Sequence, residues 1–130
     1  MSRTALFPPG SQPQAQAIKV SPALVSHGHV FLTGVTGSLP DGHMPSDPEA
    51  QFRSVFAKIG AVLAEAGLGH AAIVEMTSYH LDLKAHFDMF NAVRADHVRD
   101  PFPAWTAVEV AGLRREGALV EVRIIAACPG

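Results

Sequence analysis

Two stretches near the end of the chain have apolar positions at every second residue. They cover residues 101–110 and 119–126, and the polar and glycine residues of 114–117 lie between them. Such alternation is typical of half-buried strands, and the intervening residues favour a turn, so the pattern predicts a β-hairpin. One face of the predicted sheet would be apolar. The other would carry Trp105, Glu109, Glu121 and Arg123.

A spacing of three and four between apolar residues predicts an amphipathic helix that begins near Pro48. Ser46 or Asp47 provides the N-cap, and Pro48 suits the first turn, where its missing N–H has no helical partner to lose. Gly67 is expected to end this helix. The stripe predicted to face the core consists of Phe52, Val55, Phe56, Ile59, Val62 and Leu63.

Two more segments flank this pattern. A second helix is predicted over residues 83–98, with Asp82 as its cap and Pro101 beyond its end. Residues 1–16 are rich in Pro, Gln and Ser and are predicted to form a flexible arm.

The remaining apolar runs predict strands over residues 17–20, 23–25, 30–35 and 73–81. Gly34 near the end of the third run is typical of a bulge or of a close backbone approach. The element order predicts an α+β fold, with two helices on one face of a single mixed β-sheet and one domain over residues 17–130.

The second face of this predicted sheet has no helix to cover it. It would carry large apolar side chains beside the charges of Glu121 and Arg123, which argues for a partner subunit. Charges buried there must be paired or put to use. The apolar residues concerned are Tyr79, Trp105, Leu119 and Ile125.

Composition restricts the function classes. Apolar residues make up 48% of the 130 residues and charged residues 17%, as in globular proteins. A net charge of -2 argues against general nucleic-acid binding, which needs clustered cations. The single cysteine, Cys128, excludes an internal disulfide, and no apolar run approaches the ~20 residues of a membrane span. A cytoplasmic protein without a membrane segment is therefore expected.

Glu121 and Arg123 are the strongest candidates for chemistry. They lie two residues apart on one strand, so their side chains point the same way. A carboxylate there can orient water, and a cation can hold an acidic substrate; the alternative is a solvated surface pair. The seven histidines lack the spacing of metal sites, so no metal and no cofactor are predicted.

Several segments, in order, resemble the Rid (YjgF) family, once labelled L-PSP endoribonucleases. They are Val30-Phe31-Leu32-Thr33-Gly34, the helix ending at Ala66-Gly67, Asn91, Phe102-Pro103-Ala104-Trp105-Thr106, and Val120-Glu121-Val122 with Ile125-Ala126. The resemblance implies a chorismate-mutase-like α+β fold. It also implies a homotrimer whose sheets form a central barrel with three ligand clefts between subunits.

The resemblance also implies residue roles. Glu121 matches the family's water-orienting Glu, Thr33 the site Ser and Asn91 the helix Asn. Trp105 stands where deaminating members have an Arg that binds the substrate carboxylate, and Arg123 is hypothesised to compensate in part. The predicted cleft is lined by Thr33, Asn91, Trp105, Ala107, Glu121 and Arg123.

The resulting hypothesis is a hydrolytic deaminase of a small imine or enamine metabolite other than the ordinary 2-imino acids. Two alternatives stay open. One is a trimer that binds a metabolite without catalysis, in a regulatory role. The other is an endoribonuclease, against which the charge argues.

Overall fold

Six strands form one mixed sheet in the order β1-β2-β3-β6-β4-β5. The structure is a computed structural model and describes residues 2–128. The strands are β1 (Thr4–Leu6), β2 (Ala23–Ser26), β3 (His29–Leu32), β4 (Ile73–His80), β5 (Ala104–Glu109) and β6 (Val120–Ala127). The helices are α1 (Gln12–Ile18), α2 (Pro48–Ala64) and α3 (Leu83–Ala95), with a 3₁₀ turn at His70–Ala72. The predicted α+β class is confirmed.

The two last strands do not form the predicted hairpin. β4 lies between them, antiparallel to β6 and parallel to β5. α3 connects β4 to β5 as a crossover, which is the connection that parallel neighbours require. The alternation of each strand was predicted correctly, but a local pattern does not contain the identity of the neighbouring strand.

α2 and α3 pack on one face of the sheet. Asp47 caps α2 as predicted, because its side chain accepts a hydrogen bond from the Ala50 N–H at 2.9 Å. The predicted apolar stripe is buried, and it meets β4, β6 and α3 in one core. The largest side chains with almost no exposed surface include Phe52, Phe56, Phe90, Ile59, Leu63, Met76 and Ile124.

α3 begins as predicted but differs at its cap and at its end. Asp82 adopts a left-handed φ of 50° and makes no capping hydrogen bond. The Glu109 carboxylate of β5 instead accepts a hydrogen bond from the Leu83 N–H at 3.0 Å. The helix ends at Ala95 rather than at Val98. Glu109 therefore ties the start of α3 to the edge strand.

The N-terminal segment is more regular than predicted. β1 pairs with β2, and the seven residues of α1 lie where the end of the arm and the strand over residues 17–20 were expected. Gln and Ala favour helix, and Pro13 is tolerated in the first turn, which explains α1. Met1, in the predicted arm, and Pro129 and Gly130, in the predicted domain, lie outside the described residues.

No helix of the described residues covers the face of the sheet opposite α2 and α3. Phe31 of β3 is paired with Ile125 of β6, and Tyr79 of β4 with Glu121. Phe31 keeps 38% of its surface exposed. We call this side of the sheet the open face. Within residues 2–128, no helix is long and apolar enough to cross a membrane.

Candidate functional site

Glu121 lies on the open face and is half-buried. In the described part of the chain, its carboxylate takes part in no hydrogen bond or ion pair. The Glu121 carboxylate packs against Gly34, where an added Cβ would overlap it. A side chain at position 34 would displace this carboxylate, so Gly34 belongs to the site. The sequence marked Gly34 as a place of close approach but did not identify what approaches it.

Arg123 follows Glu121 on the same face, as predicted, and is exposed beside Thr77 of β4. The two ion pairs of the described residues both belong to Arg53, and neither involves Arg123. Glu121 and Arg123 thus share a face without neutralising each other. Both charges are free to meet a ligand or another chain.

Trp105, like Glu109, is not on the open face, so that part of the sheet prediction is wrong. It is paired with Met76 and points toward α3, because parallel pairing with β4 fixes its orientation. Its indole stacks on Phe87, with ring centroids 5.5 Å apart. The indole N–H donates to the Ser78 hydroxyl at 2.9 Å. Trp105 is therefore held in one orientation at the edge of the sheet.

A cation lies against Trp105 although the sequence interpretation left this position without one. The Arg94 Cζ is 4.0 Å from the centroid of the indole ring, within the range of a cation–π interaction. The Arg94 Nε and Nη2 donate to the Asn91 Oδ1 at 3.2 and 3.0 Å. Burial lowers the pKa of Arg94, but the guanidinium stays charged near pH 7 and can bind an anion.

Asn91 and Arg94 are neighbours because residues three apart lie on the same side of a helix. The sequence singled out Asn91 but not Arg94. The helical spacing was a signal that could have found it, since it placed a cation beside a predicted site residue. We call Asn91, Arg94 and Trp105 the edge cluster.

A buried polar pair, Ser78 and His80, is hydrogen-bonded to the Trp105 indole of the edge cluster. The His80 Nε2 lies 2.8 Å from the Ser78 hydroxyl, which also accepts the indole N–H of Trp105. Burial, together with the charge of His86, lowers the pKa of His80 to about 4. His80 is therefore neutral near pH 7. Neither Ser78 nor His80 was identified from the sequence.

Two further predicted site residues remain. Thr33 lies next to Gly34, and Ala107 lies next to the edge cluster. Thr33 is exposed next to Gly34, and its hydroxyl donates to the Ser21 carbonyl at 2.7 Å. Ala107 is half-buried on β5, two residues beyond Trp105 and on the same side of the strand.

The structure thus groups the predicted residues into two sets on opposite faces of the sheet. Glu121 and Arg123 lie on the open face, with Thr33 next to Gly34, whereas Asn91, Trp105 and Ala107 lie with Arg94 on the helix side. Across residues 2–128, no group of three His, Cys, Asp or Glu side chains is arranged to hold a metal ion.

The comparisons with known proteins extend over the residues of both faces, including Glu121 and the edge cluster. Residues 10–128 match the sequence profile described as endoribonuclease L-PSP, Ribonuc_L-PSP. The chain is 34% identical to the RutC family protein YjgH of Escherichia coli (strain K12), over 99% of this chain and 98% of that protein.

Solved structures agree with this similarity. The fold is similar to that of protein YJGH, with a TM-score of 0.88 and 34% identity over 100% of this chain and 99% of that one. It is also similar to YyfA of the conserved Rid protein family from Yersinia pestis. That comparison has a TM-score of 0.83 and 30% identity, and it covers 97% of this chain and 99% of that one.

Proposed function

The chain belongs to the endoribonuclease L-PSP family, the Rid or YjgF family, and from this premise we propose that it is a hydrolytic deaminase. Its substrate is a small planar imine or enamine other than an ordinary 2-imino acid. The chain works as a homotrimer, with the substrate in a cleft between two subunits.

The free Glu121 carboxylate is the observation that carries this proposal. It has no hydrogen bond or ion pair in the described part of the chain, and Gly34 leaves space beside it. A carboxylate in this position can accept a proton from water while the water oxygen attacks the carbon of the C=N bond. That proton passes to nitrogen and gives a carbinolamine. The carbinolamine hydroxyl then loses its proton to nitrogen as the C–N bond breaks, so a carbonyl compound and ammonia leave.

The edge cluster supports a planar, electron-rich or anionic substrate. Trp105 offers an aromatic surface, and Arg94 lies 4.0 Å from its ring centroid. Arg94 retains N–H donors beyond the two that bind Asn91, and these can bind a carboxylate or an enolate oxygen. This cation comes from α3 and not from position 105, so it would hold an acidic group in a different place from the family's Arg, which supports a substrate other than an ordinary 2-imino acid.

The opposite placement of the two sets supports the trimer. In one protomer the sheet separates Glu121 from the edge cluster, so a single ligand cannot touch both. If the open face of one protomer packs against the β5 edge of the next, Glu121 and a partner's edge cluster line one cleft. Burying the apolar residues of the open face would favour this assembly.

Ammonia release from freshly generated imines and enamines, both aliphatic and aromatic, tests this function. We expect turnover by the wild type and a loss of about 10²–10⁴-fold in Glu121→Gln, the usual contribution of a general base. Glu116→Gln is the matched control, because Glu116 is exposed in the turn before β6. Saturable binding without ammonia release would contradict the deaminase and support a binding or regulatory trimer.

The family description also names an endoribonuclease, and the same protein preparations distinguish that activity. RNA cleavage that persists in Glu121→Gln while no imine is hydrolysed would assign the activity to another site. The net charge of -2 argues against this result, because RNA binding needs a basic surface.

A further inference from the structure

A cavity of about 730 Å³ lies away from the edge cluster, where the N-terminal segment passes over α2 and the loop after β3. Its walls come from residues 8–14, from residues 33–40 and from one side of α2. The edge cluster lies on β5 and α3, and β5 is at the opposite end of the sheet from β1. Within one chain, this cavity is therefore separate from the Trp105 region.

Two cations border the cavity. The Lys58 Nζ reaches in from α2 and donates to the Thr36 carbonyl at 2.7 Å and to the Ser38 hydroxyl at 2.9 Å. Arg115 borders the same cavity and donates to the Gly42 carbonyl. Burial and the charge of Arg115 lower the pKa of Lys58. The lining contains no Asp or Glu among the described residues, so no carboxylate there neutralises this pair.

Two like charges that share a partly buried cavity destabilise each other unless an anion lies between them. Three donors are available for such an anion. Lys58 has a third N–H and Arg115 has further N–H groups. The Ser38 hydroxyl accepts from Lys58, so its own proton is free to be donated.

The rest of the lining contains more apolar than polar residues. It includes four prolines and the side chains of Val35, Ala61 and Val62, beside the polar Ser11, Gln14, Thr33 and Thr36. Such a surface suits a hydrocarbon body, because burying apolar area contributes about 25 cal/mol per Å². Ligand sites generally combine apolar walls with a few convergent polar groups, as this cavity does.

We propose that this cavity binds a small organic anion, whose carboxylate or phosphate head is held by Lys58, Arg115 and Ser38 and whose apolar body lies among the prolines. This site does not depend on the deaminase activity. Thr33 and Gly34 connect the two regions, since both line the cavity and Gly34 also packs against the Glu121 carboxylate.

Calorimetric titration with hexanoate, hexyl phosphate and hexylamine tests the site. We expect the two anions to bind and the amine, which has the same hydrocarbon body, not to bind. The tighter of the two anions identifies the preferred head group. Lys58→Gln and Arg115→Gln should each weaken anion binding about 10–100-fold, the usual effect of losing a charged hydrogen bond.

Lys84→Gln is the matched control, because Lys84 is exposed on α3 and its substitution removes the same charge. Its affinity for the anions should equal that of the wild type. The proposal is overturned if neither anion binds, if hexylamine binds equally well, or if Lys84→Gln weakens binding as much as Lys58→Gln. Arg115 is exposed, so Arg115→Gln keeps the test valid if Lys58→Gln unfolds.

Amide chemical shifts locate the bound anion. Hexanoate should move the backbone amide signals of Thr36 and Ser38 and leave the indole N–H of Trp105 unchanged. Shifts confined to the Trp105 indole would contradict the proposal, because they would place the anion at the edge cluster.

Discussion

At the scale of single residues, the cation of the edge cluster is the feature that most changes the interpretation. Arg123 was the sequence-based candidate to replace the family's Arg, yet it lies on the opposite face of the sheet from its own subunit's Trp105. Arg94 contacts that indole and is bound to Asn91. A guanidinium held by two hydrogen bonds loses less conformational freedom when it binds a ligand.

We therefore predict that Arg94→Gln lowers kcat/KM for the best imine substrate about 10–100-fold, mainly through KM. Arg123→Gln should have the smaller effect. Arg114→Gln, at an exposed position before β6, is the matched control and should change kcat/KM less than three-fold. Arg94→Lys should lie between wild type and Arg94→Gln, because it keeps the charge and loses the planar fork. The opposite ranking, with Arg123→Gln the more severe change, would favour the original hypothesis.

At the scale of elements, one buried side chain joins three segments around α2. Gln51 has only 1% of its surface exposed. Its Nε2 donates to the Pro45 and Gly117 carbonyls at 3.0 and 3.2 Å, and its Oε1 accepts from the Leu119 N–H at 2.6 Å. The loop before α2 and the turn before β6 are thus fixed relative to each other.

Gln51→Leu should lower the free energy of unfolding by about 3 kcal/mol, because it leaves buried backbone groups without partners. Gln16→Leu, at an exposed position of α1, should change it by less than about 0.5 kcal/mol. Urea denaturation of both variants measures the difference. Equal stabilities would show that water replaces the Gln51 hydrogen bonds at no cost.

The helices and strands also show how far the sequence could predict the fold and the site. α2, its Asp47 cap and its buried stripe follow from local spacing, and so does the alternation of β6. The side of the sheet on which Trp105 lies does not follow from local spacing. It depends on the parallel pairing of β5 with β4 rather than on the sequence of β5 itself. Arg94 was missed for a related reason: its role depends on an indole that the crossover brings to α3.

At the scale of the whole molecule, the open face is a side of the sheet against which α2 and α3 do not pack. Phe31 and Ile125 form an apolar pair there, on the same face as Glu121. An antiparallel sheet can present one face to water when that face is polar. This face instead mixes apolar and charged side chains, which fits an interface between copies of the chain better than a solvated surface.

Light scattering coupled to gel filtration tests this assembly. The wild type should have three times the mass of one chain. Ile125→Asp should dissociate the trimer, because it places an unpaired carboxylate in an apolar interface. Ile18→Asp makes the same substitution at a residue of α1 with 56% of its surface exposed, and it should remain trimeric.

The dissociated Ile125→Asp protein also shows whether the cleft needs two subunits. It should retain the circular dichroism of a folded α+β protein and lose ammonia release, because Glu121 and the edge cluster would no longer face one substrate. Anion binding in the Lys58 cavity should persist, since that cavity is formed within one chain. A folded monomer that still releases ammonia would contradict the shared cleft, and a monomeric wild type would contradict the trimer itself.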